Sequence, residues 1–402
     1  MTYDFTTVID RRGQDALCVD ALGKTFLPGF QPREGFDPIP MWAADMNFAT
    51  CPAVIEALTQ RLQHPILGYF GLREQWYEAI IRWQTLRHGV TGLTADCIGY
   101  EGSVMGGVLS ALQTVLGPGD KVLIHSPVYT GFTHALRDNG FEAVRSPLVL
   151  DENNIWRMDF DHMERQLREQ KIHAVILCSP HNPAGRVWER WELERAYALF
   201  EQYDVTVVAD EIWADLVLDG HRHIPSQSIS PWAREHTVAC YALTKTFNLA
   251  GLYAGYHIIY NPTLRDRHRA VAAKTRYNEP HVLSMHALMA AYTDAGMDWT
   301  DQLCAVLSRN IGHVCDEMEA RFPGVRFCRP QGTHLMFADC EQWCRDHGKT
   351  MEQVLWAGRD VGLLWNDGRL FGGTHTLRIN WAHPISQVDE ALDRMTRYVF
   401  CD

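Results

Sequence analysis

Two hydrophobic patterns alternate along most of the chain from about residue 50. Apolar segments about four to eight residues long, the length of buried strands, recur at intervals. Between several of them the apolar positions follow the period of a helix, as over residues 189–203. The strand-length segments are 97–100, 121–125, 142–149, 173–178, 205–209, 238–243 and 254–260. This alternation predicts an α/β fold, with a mainly parallel sheet that helices cover on both faces.

The pattern changes at two places, which divides the chain into three regions. Residues 1–48 are irregular and rich in Gly and Pro, and we expect them to form an arm. Residues 49–285 would form the large domain. Residues 286–402 predict a smaller α+β domain, which the arm would join. The elements expected in this smaller domain are helices over 299–321 and 388–398 and strands at 325–328, 334–337 and 376–380.

The net charge of −12 on 402 residues narrows the range of partners. Nucleic acid is also negatively charged, so an acidic chain is not expected to bind it. No apolar segment reaches the roughly 18 residues needed to cross a bilayer. Eleven cysteines are present without a Cys-x-x-Cys pair, and the first ten residues carry no secretory signal. We therefore expect a cytoplasmic protein with reduced thiols, no nucleic-acid partner and no membrane partner.

Polar residues follow four of the predicted strands directly. They are Ser103 after a glycine, Asn182 in a Pro- and Gly-rich turn, the acidic Asp210, and Lys245 preceded by Thr244. Because ligands of an open parallel sheet collect at the carboxyl ends of its strands, we expect these residues to meet in one site.

This set of residues matches the chemistry of pyridoxal 5′-phosphate (PLP). A lysine such as Lys245 can form a Schiff base with the cofactor aldehyde, and a buried carboxylate such as Asp210 can keep the ring nitrogen protonated. A helix that begins after a glycine can bind the phosphate. Taken singly, these residues have plainer interpretations: a surface lysine, a helix cap at Asp210, an ordinary turn at Asn182 and core packing for Tyr129. Their order after successive strands favours the cofactor site.

A metal site is the weaker interpretation of the histidines. The segment His221-Arg222-His223 offers two side chains of the kind that bind metals. Since the chain has 19 histidines, such clusters are expected by chance. We therefore expect no bound metal.

Seven segments of the chain resemble fold-type I PLP enzymes of the class I/II aminotransferase superfamily. Within that superfamily the sequence is most similar to the MalY/PatB-type cystathionine β-lyase-like C–S lyases, and the resemblance spans nearly the whole chain. The segments are 41–48 (MWAADMNF), 68–70 (GYF), 126–129 (SPVY), 178–188 (CSPHNPAGRVW), 209–212 (ADEI), 244–251 (TKTFNLAG) and 378–380 (RIN).

The resemblance implies PLP as the cofactor and gives roles to four residues around its ring. Lys245 would be the Schiff-base lysine and would remove the Cα proton of the substrate. Asp210 would pair with the ring nitrogen. Tyr129 would stack on the ring, and Asn182 would contact the ring hydroxyl.

The resemblance also implies how the phosphate is held. The backbone of Ser103 and Val104 and the hydroxyl of Thr244 would bind it within one subunit. Tyr69 would reach the phosphate of the neighbouring subunit and take part in catalysis there. A homodimer with shared active sites is therefore the expected state.

The substrate, a small sulfur amino acid, would lie against Arg378, with Asn182 and Ala44 nearby. Arg378 would bind the α-carboxylate through two hydrogen bonds, and an arginine in a short apolar strand is itself a buried charge that requires an anion. Two positions depart from the resemblance. Trp213 stands where lyase relatives usually carry histidine, and Tyr253 stands where many aminotransferases carry a phosphate-binding arginine.

Two reactions start from the same Cα carbanion, so Lys245 and Asp210 do not distinguish them. We expect a C–S β-lyase, which eliminates a thiolate from cystathionine, cysteine or a related S-conjugate and leaves pyruvate and ammonia. The alternative is an amino acid aminotransferase. A third hypothesis is a regulatory binding protein that retains PLP and holds a partner on its surface.

Overall fold

The structure is a computed structural model that describes residues 2–401, apart from the side chain of Thr275. The strands are β1 (Ile39–Pro40), β2 (Ile98–Glu101), β3 (Lys121–Ser126), β4 (Glu142–Leu150), β5 (Trp156–Met158), β6 (Ala174–Cys178), β7 (Thr206–Asp210), β8 (Thr237–Ala242), β9 (Gly255–Ile258), β10 (Arg326–Phe327), β11 (Leu335–Asp339), β12 (Leu363–Leu364), β13 (Asn366–Asp367) and β14 (Thr376–Asn380).

The helices are α1 (Leu17–Asp20), α2 (Pro52–Leu62), α3 (Glu74–His88), α4 (Val104–Val115), α5 (Thr130–Asp138), α6 (Phe160–Gln170), α7 (Arg190–Gln202), α8 (Pro231–His236), α9 (Leu243–Thr246), α10 (Pro262–Thr275), α11 (Val282–Ala291), α12 (Asp294–Arg321), α13 (Glu341–Asp346), α14 (Met351–Asp360) and α15 (Ile385–Arg394). Short 3₁₀ turns lie at Ala95–Cys97, Ser226–Ser228 and Gly368–Phe371, and a π-helical turn at Met395–Val399.

The central sheet confirms the predicted α/β fold. Its eight strands lie in the order β2-β9-β8-β7-β6-β3-β4-β5. The five strands β8, β7, β6, β3 and β4 are parallel to one another. At the two ends of this group, β9 is antiparallel to both β2 and β8, and β5 is antiparallel to β4. The sheet is thus mixed but mainly parallel.

Successive strand residues supply two separate layers of core. In β7, Val208 packs with residues of α4 and α5, and Val207 packs with residues of α6 and α7 on the other face. Because neighbouring side chains of a strand point to opposite faces, an uninterrupted apolar strand needs helices on both sides. The continuous apolar segments in the sequence have this cause.

Several element boundaries differ from those predicted. The edge strand Trp156–Met158 was not predicted, because two half-buried residues and one buried residue are too few to show an alternation. The long helix begins at Asp294, five residues before Trp299, and Thr293 caps it by accepting a hydrogen bond from the Gly296 amide at 3.3 Å. The closing α-helix ends at Arg394, where the π-helical turn takes over.

A second, antiparallel sheet lies in the C-terminal region, with the strand order β10-β11-β14-β13. The N-terminal strand β1 pairs in parallel with β12, so that Ile39 lies opposite Leu363. The segment after β1 continues toward the central sheet. The domain limits at residues 48 and 285 stay a prediction.

Among residues 2–401 no helix combines the length and the apolar composition needed to cross a bilayer. The longest helix, α12, has 28 residues and carries several charged side chains.

Candidate active site

A cleft of about 530 Å³ lies at the carboxyl ends of β6, β7 and β8. Side chains of the N-terminal segment and of the C-terminal sheet complete its wall. Nine of the ten residues predicted for the site line this cleft: Ala44, Ser103, Val104, Tyr129, Asn182, Asp210, Thr244, Lys245 and Arg378. The structure thus brings together residues from positions 44 to 378.

Lys245 lies on the short helix α9, which follows β8 directly. Its Nζ donates a hydrogen bond to the carbonyl oxygen of Ala44 at 2.8 Å and lies 5.5 Å from the ring centroid of Trp213. Burial lowers the pKa of Lys245 to about 8, although the carboxylates of Asp45 and Asp210 oppose the shift. A part of this amine is therefore neutral, and nucleophilic, near physiological pH.

Asp210 is the last residue of β7, and its side chain lines the cleft while only 4% of the residue is exposed. Oδ1 accepts a hydrogen bond from the Ile212 amide at 3.1 Å. Burial raises the pKa of Asp210 to about 6, against the opposing effects of that amide and of the Lys245 ammonium. A further cationic partner would stabilise the charged carboxylate, and a protonated pyridine nitrogen is such a partner.

The start of α4 is suited to bind an anion. Ser103 is its N-cap, and the Ser103 hydroxyl accepts a hydrogen bond from the Gly106 amide at 3.0 Å. The preceding amides of the first turn have no partner within a helix, and the helix dipole is positive there. Val104 and the hydroxyl-bearing Thr244 line the same cleft. This part of the cleft fits a phosphate group.

Two buried polar atoms in the cleft lack a hydrogen-bond partner within the described chain. One is Oδ1 of Asn182, a residue that is 5% exposed, and the other is Nε of Arg378. Because both residues line the cleft, a ligand bound there could pair with each of these atoms. Tyr129, just before α5, places its ring on the same cleft.

Arg378 lies in the middle of β14 and is almost fully buried. Its Nη2 donates to the carbonyl oxygen of Trp42 at 2.6 Å, and its guanidinium carbon lies 4.4 Å from the ring centroid of Phe371. Burial lowers the pKa of Arg378 to about 10, opposed by the Tyr129 phenol. A guanidinium held in an aromatic, dehydrated wall attracts an anion strongly, because a buried charge requires a counter-charge.

Tyr69 is the one predicted site residue that lies outside this cleft. It belongs to the segment between α2 and α3, and its side chain is fully exposed. The structure of the single chain does not bring Tyr69 near Lys245. Its predicted role requires a second subunit.

Several residues of the cleft were not singled out from the sequence. Trp42 accepts hydrogen bonds from Arg378 and from Asn366 Nδ2, the latter at 2.7 Å, and Phe371 packs under the guanidinium. His334 does not line the cleft itself but packs on a lining residue: it is fully buried, with its ring centroid 4.9 Å from that of Trp213. Trp42 lies in one of the resembling segments, and His334 begins the predicted strand 334–337. Phe371 lies in a short stretch for which no element was predicted.

The residues present fit PLP on four separate counts. They supply a partly neutral lysine, a buried carboxylate with room for a cation, a helix start for a phosphate and buried polar atoms that await partners. The particular role of each residue stays a prediction.

This combination of fold and site is that of the aminotransferases, and a comparison with known families agrees. Residues 38–395 match the family model of aminotransferase class I and II. The chain belongs to that family.

Within the family, the relatives include C–S lyases. The chain is 31% identical over 361 residues to cystathionine beta-lyase PatB of Bacillus subtilis, covering 89% of this chain and 92% of that protein. It is 30% identical over 395 residues to protein MalY of Escherichia coli, covering 97% of both. The resemblance seen in the sequence is confirmed.

Solved structures agree with this placement. Cystalysin from Treponema denticola, which contains PLP, matches with a TM-score of 0.90 and 29% identity over 99% of this chain and 98% of that one. The PLP-bound C–S lyase of Staphylococcus hominis matches with a TM-score of 0.89 and 27% identity over the same shares.

Proposed function

We propose that this protein is a PLP-dependent C–S β-lyase that converts cystathionine, cysteine or a related S-conjugate into a thiol, pyruvate and ammonia. The observation that carries the proposal is the convergence of Lys245, Asp210 and Arg378 on one cleft. The similarity to PatB and MalY over most of their length favours the lyase over the aminotransferase.

PLP, when bound, supplies an electron sink that makes the Cα proton of an amino acid acidic. The chain would hold it through Lys245, through Asp210 at the ring nitrogen and through Asn182 and Tyr129 at the ring. The phosphate would lie at the start of α4, against the amides of Ser103 and Val104 and the hydroxyl of Thr244. This last set would make three kinds of contact with one anion: amide, hydroxyl and helix dipole.

The substrate would be oriented by Arg378 and deprotonated by Lys245. Arg378 would hold the α-carboxylate, which turns the Cα–H bond toward the Lys245 amine. Neutral Nζ would accept the proton, the Cα–H electron pair would form the Cα–Cβ double bond, and the C–S electron pair would leave with the sulfur. Water would then hydrolyse the resulting aminoacrylate to pyruvate and ammonia. Thiols have a pKa of about 8.5, so a thiolate leaves far more readily than hydroxide, and S-substituted cysteines are the favoured substrates.

The direct test is to incubate the holoenzyme with L-cystathionine and no keto acid. We expect pyruvate, ammonia and free thiol in equal amounts. A parallel reaction with added keto acid should proceed no faster. Turnover that occurs only with a keto acid would identify an aminotransferase, and the absence of both activities with PLP bound would favour a regulatory binding protein.

We infer that the working unit is a homodimer and that Tyr69 acts in the partner's site. Two observations support the inference: Tyr69 is fully exposed, and its apolar neighbours Ile66 and Leu67 are each more than half exposed. A segment of this kind is better explained by a partner surface than by solvent. A cytoplasmic location is supported by the eleven cysteines, all of which are free thiols in the structure.

Subunit mixing tests the role of Tyr69. Alone, Tyr69→Ala and Lys245→Ala should each be nearly inactive. Co-assembled in equal amounts, half of the dimers are mixed and each mixed dimer has one intact site, so about a quarter of the wild-type activity should return. No recovery in dimers shown by mass to be mixed would place Tyr69 outside the shared site.

Arg378→Lys should raise KM for the amino acid about ten- to hundredfold, with a smaller change in kcat. A lysine keeps the charge but loses the paired hydrogen bonds, and a hydrogen bond to a charged group contributes about 1.5–3 kcal/mol. Steady-state pyruvate formation measures both constants. Arg329→Lys, at an exposed ion pair with Asp316 and Glu319, is the matched control and should behave as wild type. An unchanged KM in Arg378→Lys would contradict a carboxylate-binding role.

A further inference from the structure

A cluster of potential metal ligands lies beneath the cleft, between the edge of the central sheet and α10. We call it the Glu101 cluster: Glu101 at the end of β2, His257 in β9 and His268 in α10. All three side chains are at least 98% buried. Oε1 of Glu101 lies 2.6 Å from Nδ1 of His257 and 3.5 Å from Nε2 of His268. One donor atom from each residue lies within 4.8 Å of the other two.

One nitrogen atom that faces Glu101 has no hydrogen-bond partner within residues 2–401, whereas Nδ1 of His257 is already hydrogen-bonded to the carboxylate. Nε2 of His268 faces the Glu101 carboxylate but makes no hydrogen bond in the described chain. A buried imidazole nitrogen left without a partner is costly, and a metal ion removes that cost.

The surroundings of the cluster are shaped around these side chains. His257 lies opposite Gly99 on the neighbouring strand, where a Cβ would come within 2.3 Å of the imidazole ring. Tyr277 donates a hydrogen bond to the second oxygen of Glu101, and its ring fills the space above Gly106. Carboxylates that bind a metal ion are commonly held in place by such hydrogen bonds.

We propose that Glu101, His257 and His268 bind one divalent transition-metal ion, zinc in the first instance. Two imidazole nitrogens and one carboxylate oxygen form a set that zinc accepts, at about 2.0–2.2 Å from each donor. Donor atoms around a tetrahedral zinc are about 3.3 Å apart. The 3.5 Å between Glu101 and His268 already matches this spacing, and the 2.6 Å between Glu101 and His257 would have to widen by roughly 0.7 Å. Because the cluster is closed to solvent, the ion is structural. This inference departs from our expectation of a protein without metal.

The position of the cluster gives the ion a function. Glu101 is followed directly by Gly102 and by Ser103, the N-cap of α4, and α10 packs against α4. An ion that joins β2, β9 and α10 therefore fixes the start of α4 from behind. If the proposed phosphate role of this helix start holds, removal of the ion should also weaken cofactor retention; that link rests on the proposed function, whereas the ion binding does not.

Zinc content tests the site without reference to activity. Holoenzyme equilibrated with Zn²⁺ is passed through gel filtration with a weak chelator, and zinc is measured by mass spectrometry. We expect about one ion per chain, and less than about a tenth of that in His268→Ala. The control is His125→Ala, which removes another fully buried imidazole from the core and should retain the full zinc content.

A second variant keeps the test decisive if His268→Ala does not fold. Glu101→Gln has the same size and can still accept the Tyr277 hydrogen bond, but a neutral amide is a poor zinc ligand. It should fold, lose the zinc and lose the rise in melting temperature that Zn²⁺ produces in the wild type. Less than about a tenth of an ion per wild-type chain, or equal zinc in the wild type and Glu101→Gln, would overturn the proposal and leave a hydrogen-bonded network alone.

Discussion

Replacement of Lys245 with alanine is expected to lower β-elimination at least about a thousandfold. The same amine would hold the cofactor and accept the Cα proton, and loss of a positioned general base alone costs about 10²–10⁴ in rate. No other amine was predicted for this cleft. The Lys245 amine donates a hydrogen bond to the carbonyl oxygen of Ala44, which also lines the cleft. Pyruvate release from L-cystathionine measures the loss.

The covalent bond itself can be followed separately from the activity. Borohydride reduction of the holoenzyme should attach the cofactor permanently to the tryptic peptide that contains Lys245. Lys245→Ala should show no such adduct. Lys349→Ala is the matched control, since Lys349 is exposed beyond α13, and it should keep both the adduct and the activity. An adduct on another lysine would contradict the assignment.

The lowered pKa of Lys245 gives this prediction a pH dependence. With a pKa of about 8, roughly a tenth of the amine is neutral at pH 7, against fewer than about one in a thousand for an unshifted lysine. Since the neutral amine attacks the aldehyde, the rate at which the apoenzyme takes up PLP should rise about tenfold per pH unit below pH 8. Above that value it should level off. A rate that keeps rising to pH 10 would show an unshifted amine.

Asp210→Asn is expected to lower the rate about a hundredfold to a few thousandfold while leaving the cofactor attached to Lys245. The amide has nearly the same shape and can still accept the Ile212 hydrogen bond, so the fold should persist. It lacks the negative charge that would stabilise a cationic ring nitrogen. Removal of one partner of a buried ion pair costs about 3–5 kcal/mol, which corresponds to this range of rates.

Two comparisons separate this effect from misfolding. Asp210→Glu restores the charge and should recover part of the activity. Reconstitution of Asp210→Asn with PLP methylated at the ring nitrogen, which is permanently cationic, should also recover activity relative to ordinary PLP. Full activity of Asp210→Asn with ordinary PLP would show that the ring nitrogen has no need of this carboxylate.

The sheet and the central part of the site followed from the sequence alone. Buried parallel strands are continuous apolar segments, and their carboxyl ends meet at one edge, so a residue that follows such a strand has a predictable place. Asn182, Asp210 and Lys245 were found in this way, and the structure puts all three on one cleft. These placements depend on local pattern and on one general rule of sheet topology.

The remaining wall of the site was decided by tertiary structure. Trp42 and Arg378 are 336 positions apart, and their hydrogen bond exists because β1 pairs with β12 and the following Met41 accepts a hydrogen bond from the Asn380 amide of β14. Phe371 reaches the cleft from a short 3₁₀ turn, which has no periodicity in the sequence from which it could be predicted.

The Glu101 cluster, formed by two adjacent strands and α10, also depends partly on local pattern and partly on tertiary structure. Glu101 comes directly after the predicted strand 97–100, and His257 lies within the predicted strand 254–260. No element was predicted for the stretch that contains His268. Their meeting depends on the antiparallel pairing of β2 with β9 and on the packing of α10 against α4. Sequence periodicity reports which face of an element is buried, whereas the partner across that face is set by the packing of the whole chain.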